Sequence, residues 1–196
     1  MTMKRNLNFL WNRFSMREAL LLGFCATFIV LTKATLRMKL GISGHSMFFM
    51  IFFLLLARGI VPKTGASTLV GLLAGAISIA MGLAHRGPII MLNFVLPALV
   101  IDCVGVFLPR FVRGFLTCIL VGGLAASTKG VTEAVIFAFT GAPLDVIILK
   151  GVIDGAWALL FGSLGSLPVP AIIRKLRTNR LIPDPGNGRR GDGDSG

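Results

Sequence analysis

The sequence predicts an all-α integral membrane protein of about six transmembrane helices, with both termini in the cytoplasm. Three observations predict it. Of 196 residues, 55% are hydrophobic and only 14% charged, with a mean hydropathy of +0.84; a soluble domain of this size needs more polar surface than that. Runs such as "ALLLGFCATFIVLTKATL" and "PIIMLNFVLPALVIDCVGVFL" approach the ~20 residues a helix needs to cross a bilayer. The basic residues are also segregated. With the N-terminus inside, fourteen of the 20 Lys and Arg fall on the inner side and four on the outer (Lys33, Arg37, Lys39, Arg86), leaving Lys129 and Lys150 within the membrane. That is the positive-inside pattern of a multi-pass protein of the cytoplasmic membrane.

The elements follow in order. Residues 1–14 carry Leu7, Phe9, Leu10, Trp11 and Phe14 among Lys and Arg, the composition of a cytoplasmic helix lying at the interface. Residues 15–175 form the membrane domain, with spans over 15–36, 45–59, 63–83, 88–109, 114–140 and 145–170. Gly, Pro and charge mark the joints: "KLGISGH", "RGIVPKTG", "AHRGP", "PRFVRG" and "TGAPLD". Backbone groups in hydrocarbon must be satisfied within the segment, which selects helices. Residues 176–196, a basic, Gly-rich cytoplasmic tail, are expected to be disordered.

The net charge of +12 is therefore a topology signal, with anionic membrane lipid as its partner and no nucleic acid implied. Cys25, Cys103 and Cys118 lie within spans without metal-ligand spacing and are expected as small apolar residues. No metal or cofactor site is predicted.

Small residues line three spans. Ser67, Gly71, Gly75, Ser78 and Gly82 mark the third, and Gly151, Gly155, Ala158, Gly162 and Gly165 the sixth. Such stripes let helix backbones approach closely, and internal packing is the reading for both. The first span carries Ala19, Gly23 and Thr27 at i, i+4 and i+8, beginning near the cytoplasmic side. The same physics there serves either internal packing or docking of a second membrane protein.

The fifth and sixth spans repeat one charged figure, Lys129-Gly-Val-Thr-Glu133 and Lys150-Gly-Val-Ile-Asp154. A charge near mid-bilayer costs roughly 2.5–3.5 kcal/mol on insertion, so four of them in an apolar hairpin mark either function or a structural lock. Lys preceding the acid by four residues is the weaker order for a pair on one helix. Counting about 1.5 Å per residue from the outer turn puts Lys129 and Asp154 about 16 and 13 Å deep, and Glu133 and Lys150 about 10 and 8 Å deep. Two crossed pairs are therefore expected, Lys129–Asp154 and Glu133–Lys150. Trp157 and Phe161 continue the Lys150–Asp154 face, and Asn93 lies about 8 Å below the outer surface on the same count. Together these residues offer hydrogen bonds and a stacking surface to a small ring-containing ligand entering from outside. Asp102, deeper, is expected to pair with a neighbouring helix. The outer loop "LRMKLGISGHSM", with His45 and Ser46, is either a lid over that pocket or an ordinary solvated connection.

No catalytic residues are assigned. "GISGH" contains a Gly-x-Ser-Gly sequence, but Ser43 falls in a loop and His85 belongs to another, so no serine–histidine dyad forms. "DGAWA" lacks the downstream aspartates of a CDP-alcohol phosphotransferase, and no P-loop occurs.

Six spans, both ends inside, the first-span stripe, and "RGIVPKTGASTLVGLLAGAISIAMG" followed by "RGP" resemble the substrate-capture (S) component of energy-coupling factor (ECF) transporters. The resemblance covers about residues 14–175 and is nearest the thiamin and hydroxymethylpyrimidine group. It implies a membrane subunit of an ABC importer. Such a subunit binds a vitamin-like molecule in an outer-half pocket, then docks through helix 1 on a transmembrane coupling subunit driven by two ATPase subunits. Docking would fall on Ala19, Gly23 and Thr27. Substrate contacts would fall on His45, Ser46, Asn93, Lys129, Glu133, Lys150, Asp154 and Trp157. The chain has no Tyr and no acid in its third span, so Glu133 or Asp154 would take the acidic role. The alternatives are an assembly subunit with the same stripes and ion pairs but no cargo, or an intramembrane enzyme.

Overall fold

The computed structural model describes residues 15–40, 45–82, 91–108, 111–139, 141 and 143–179. Seven α-helices and one 3₁₀ turn (Phe111–Arg113) make up the described residues, without a strand. They are α1 Met16–Leu40, α2 His45–Ile60, α3 Ala66–Ala80, α4 Leu92–Phe107, α5 Phe115–Phe139, α6 Leu144–Ser166 and α7 Pro168–Thr178. The expected interfacial segment 1–14 lies outside the described residues.

The helices alternate in direction, as their contacts at one end show. Glu18 of α1 meets Lys63 in the α2–α3 connection, Arg58 of α2 meets Asp102 of α4, and Asp102 meets Ser67 and Thr68 at the start of α3. At the same end, a Cβ placed on Gly59 would run into Ile173 of α7 and Val112 of the 3₁₀ turn. This end carries Arg58, Lys63, Arg174 and Lys175, and is called the basic end below. Leu22, Ile29, Met50, Ile51, Leu54, Val70, Phe94 and Ile101 form the centre of one apolar core drawn from α1–α4.

Among the described residues, two stretches are long and apolar enough to cross a bilayer, Met16–Thr35 of α1 and Phe115–Phe139 of α5. Three further apolar helices are shorter: α2, α3 and α4 have 16, 15 and 16 residues, about 24 Å at most at an ~1.5 Å rise. The expected spans 63–83 and 88–109 are thus trimmed at both ends among the described residues. The expected span 145–170 divides in two, because Pro168 cannot continue the hydrogen bonding of α6 and instead opens α7. Since α7 runs to Thr178, residues 176–178 are helical and not the start of a disordered tail; residues 180–196 lie outside the described part.

The sixth-span stripe packs as expected, and α5–α6 is the most extensive helix pair. Their backbones meet at glycines. A Cβ on Gly130 would stand 2.5 Å from the Gly151 carbonyl oxygen, one on Gly122 2.7 Å from Ser166 Cβ, and one on Gly123 2.8 Å from Ser163 Oγ. The turn joining the pair holds Gly141 at φ 71°, a left-handed conformation that suits glycine. The third-span stripe packs from Ser67 to Ser78, whereas Gly82 is exposed and a Cβ on it would meet nothing within 4 Å among the described residues. Cβ atoms on Gly71 and Gly75 would meet the Phe94 carbonyl oxygen at 2.7 Å and Met91 Cγ at 3.0 Å, so α3 lies directly on the first turn of α4.

Candidate functional site

Polar groups gather at two places in this apolar scaffold. At the basic end, Asp102 reaches from α4 to the first turn of α3. Its Oδ2 accepts from the Thr68 backbone N–H and the Thr68 hydroxyl, both at 2.7 Å, and its Oδ1 accepts from Ser67 N–H at 3.4 Å. Those N–H groups are among the unbonded donors of a helix start, and a carboxylate there is also favoured by the helix dipole. Arg58 Nε lies 3.7 Å from Asp102 Oδ1, with both side chains buried, and Arg58 donates to the Lys63 carbonyl. Gly105 makes the room: a Cβ there would stand 2.6 Å from Arg58 Nε. Lys63 Nζ in turn donates to Glu18 Oε2 at 2.7 Å. One polar chain therefore ties α1, α2, α3 and α4 together.

Asp102 pairs with neighbouring helices as expected, but sequence reasoning missed Arg58, Ser67 and Thr68 as its partners. The available signal was the isolated Asp102 itself. A lone acid in an apolar span requires a cation or a set of donors, and Arg58 ends the helix that also borders α3.

The second gathering lies farther from the basic end. Lys129 of α5 is buried (9% exposed) and lies within electrostatic reach of Asp154 of α6 and of Glu133 one turn along its own helix. The glycine seam sets the register, with Gly130 opposite Gly155; Lys129 and Asp154 thus fall within a turn of each other, as do Glu133 and Lys150. Lys150 is exposed, its ammonium 5.7 Å from the Phe137 ring centroid. Trp157 is 52% exposed and stacks on Phe161, with ring centroids 6.0 Å apart.

Asn93 sits in the first turn of α4, 9% exposed, with its side-chain oxygen unpartnered. Beside it, the Lys33 ammonium of α1 stands 3.9 Å over the Phe94 ring. Ser46 is half-buried in the first turn of α2, and His45 is that helix's first residue. The expected substrate residues thus do not share one buried site. Asn93 and Lys129 are interior, Glu133 and Asp154 half-buried, and Lys150 and Trp157 face outward. Cys25 and Cys118 are buried as expected, whereas Cys103 is exposed.

The first-span stripe differs from the other two. Ala19 and Thr27 are exposed, and a Cβ on Gly23 would meet nothing within 4 Å. Thr27 bonds its hydroxyl back to the Gly23 carbonyl at 2.9 Å, which leaves the groove apolar. Leu22, Cys25, Ala26, Ile29 and Val30 form the buried face of α1, which borders the stripe on one side.

Comparison of the chain with protein-family models, with characterised proteins and with solved structures returns no match.

Proposed function

We propose that the chain is the substrate-capture component of an ECF-type importer in the cytoplasmic membrane. In this reading it holds a vitamin-like, ring-containing molecule in the outer half of its helices and hands it to a coupling subunit with two ATPases. The observation that supports this reading best is the contrast between stripes. Gly71, Gly75, Gly122, Gly130 and Gly162 are each met by a neighbouring helix of the same chain, while a Cβ on Gly23 would meet nothing within 4 Å among the described residues, as is true of Gly82 at the end of the third-span stripe. A small-residue groove on an outer helix face suits close approach by another membrane helix. Lys129, Glu133 and Asp154 at the α5–α6 seam, and Asn93 separately on α4, are polar groups that could hydrogen-bond a captured ring.

The test is co-purification of membrane partners and uptake in cells. Gly23→Leu should abolish both while leaving the fold of the isolated chain unchanged. Partner recovery equal to wild type would remove the docking role of α1. A second reading, an assembly subunit without cargo, is favoured by the electrostatic compensation of Lys129, since a lock between α5 and α6 needs no ligand. Ligand-dependent stabilisation of the purified chain in a thermal-shift screen against vitamins separates the two.

A further inference from the structure

We propose that the exposed face of α7 is a docking surface for anionic phospholipid in the leaflet at the basic end, with headgroup phosphate held by Arg174 and Lys175. The proposal goes beyond capture of a cargo and rests only on the membrane reading of the chain.

The two faces of α7 have separate uses. Val169 and Ile173 are buried, with Ile172 and Leu176 half-buried beside them, a spacing of i, i+3, i+4 and i+7 that makes one helical face. Ile173 packs at Gly59, where Val112 of the 3₁₀ turn also arrives. Ala171, Arg174, Lys175 and Thr178 repeat that spacing on the opposite face, and all four are exposed. A free amphipathic helix would sink its apolar face into lipid. In α7 that face is taken up by the protein, and the charged side is what remains to offer.

Nothing described within the chain uses these two cations. The described acids at the basic end are Glu18 and Asp102, and each already has a cation, Lys63 and Arg58. Arg17, Arg174 and Lys175 are exposed, with no acid left for them among the described residues. Nor do Arg174 and Lys175 cap their own helix. The Thr178 hydroxyl donates to the Arg174 carbonyl at 3.0 Å, and the Asn179 N–H to the Lys175 carbonyl at 3.1 Å. Two carbonyls of the last turn, which basic side chains often serve, are thus already bonded. The surplus charge calls for an anion from outside the chain.

The surroundings decide which anion. Because Ile173 and Val112 meet at Gly59, α7 stands level with the α4–α5 connection. Phe107 at the end of α4 is 83% exposed and Leu116 at the start of α5 is 70% exposed, with Leu108 and Phe115 exposed between them. Apolar side chains this open on both arms of the connection set the edge of the acyl region at this level, and headgroups lie just beyond it. Arg174 and Lys175 reach that layer on long apolar stems. The guanidinium can take two phosphate oxygens at once, and the ammonium adds a compact charge. An acidic protein would answer the charge but not the apolar level beside it.

The experiment is native mass spectrometry of the full chain from micelles holding equal amounts of phosphatidylglycerol and phosphatidylcholine. The two lipids carry identical acyl chains, so apolar contacts cancel. Wild type should retain phosphatidylglycerol in preference, and raising the salt should weaken that preference. Arg174→Gln with Lys175→Gln should lower it about 25-fold, each cation near an anionic surface being worth about fivefold. The exchange Arg174→Lys with Lys175→Arg should keep it. Both pairs should melt with wild type, since the side chains are exposed. Arg17→Gln, at the same end but on α1, should change the preference far less.

No preference in wild type, or one that survives in the Gln pair, overturns the proposal. So does an equal loss in Arg17→Gln, which would mean a diffuse field of the whole basic end. Loss of a protein partner in the Gln pair, with lipid preference unchanged, would make α7 a protein-docking face instead. Wild type that retains neither lipid would remove the membrane reading as well. A lipid preference carried by α7 in a chain that no vitamin stabilises upholds the proposal and counts against capture alone.

Discussion

The Asp102 carboxylate stands 2.7 Å from both the backbone N–H and the hydroxyl of Thr68, so α4 caps α3 across a helix interface. Gly65, just before α3, adopts φ 90° and provides no side-chain cap of its own. The helix start is therefore satisfied in trans, and the same carboxylate compensates the buried Arg58. Secondary structure and tertiary packing depend here on one side chain.

Asp102→Ala should accordingly be among the most damaging substitutions in the chain. It strands Arg58 and uncaps α3, and losing one partner of a buried pair costs about 3–5 kcal/mol. Adding Arg58→Met should recover part of that loss, while Thr68→Val alone should cost about 1 kcal/mol, as for a lost cap. Equilibrium unfolding in mixed detergent measures all three, and a double-mutant cycle isolates the Arg58–Asp102 coupling. Simple additivity of Asp102→Ala and Arg58→Met would show the pair to be uncoupled.

How much of this was legible follows from which force sets each feature. Helix positions were readable because Gly and Pro punctuate apolar runs, and His45–Ile60 falls almost on the expected 45–59. The break at Pro168 was missed because the apolar run from Ala156 to Ile173 continues through it, and hydropathy does not register a missing N–H. The depth count brought Lys129 to Asp154 because a tight hairpin fixes register by length alone. Depth says nothing about which way a side chain points around its helix, and so Trp157 and Lys150 were grouped with Asn93 although the structure turns them outward. Gly23 and Gly130 read alike in sequence. Only the position of neighbouring helices distinguishes a filled groove from an open one.

That difference should be measurable one methyl at a time. Gly130→Ala pushes a Cβ to 2.5 Å from the Gly151 carbonyl, and the α5–α6 seam must open, costing about 1–3 kcal/mol. Gly23→Ala meets nothing and should fall within about 0.5 kcal/mol of wild type. Thermal melting of the two variants in one detergent decides it; equal losses would mean that α1 packs more closely than described.

The two acids near Lys129 should not be equivalent. Asp154 reaches toward the ammonium across the helix seam and so ties α6 to α5. Glu133 lies on α5 itself in the weaker order, with Lys preceding the acid by four residues. Asp154→Asn should therefore destabilise more than Glu133→Gln. Removing the cation as well, in Lys129→Met with Asp154→Asn, should regain much of the loss, since a buried pair replaced as a whole is often nearly neutral. The charge exchange Lys150→Asp with Asp154→Lys should not rescue either single variant, because it sets Lys129 beside a new lysine. Resistance to unfolding by SDS follows the series. Indifference of stability to Asp154→Asn would place Lys129 in contact with water.

Trp157 gives the most direct view of what surrounds α6. Its ring is 52% exposed and stacks on Phe161, and Ile153, Leu160 and Leu164 on the same helix are also exposed. In the proposed membrane setting these side chains face acyl chains. Replacing Trp11, the other tryptophan, by Phe leaves Trp157 as the single reporter. Its emission should be blue-shifted and strongly quenched by lipids brominated on the acyl chain, with little quenching by aqueous iodide, as expected for an indole among apolar neighbours. Trp157→Ala should cost less than the about 3–5 kcal/mol of a core aromatic, because half of its surface is already outside the protein. Should a captured vitamin shield Trp157 from brominated lipid, the ring would belong to the binding site, and α6 would have to turn on loading. Strong iodide quenching in the unloaded protein would instead place this face of α6 in water and count against a lipid-facing helix.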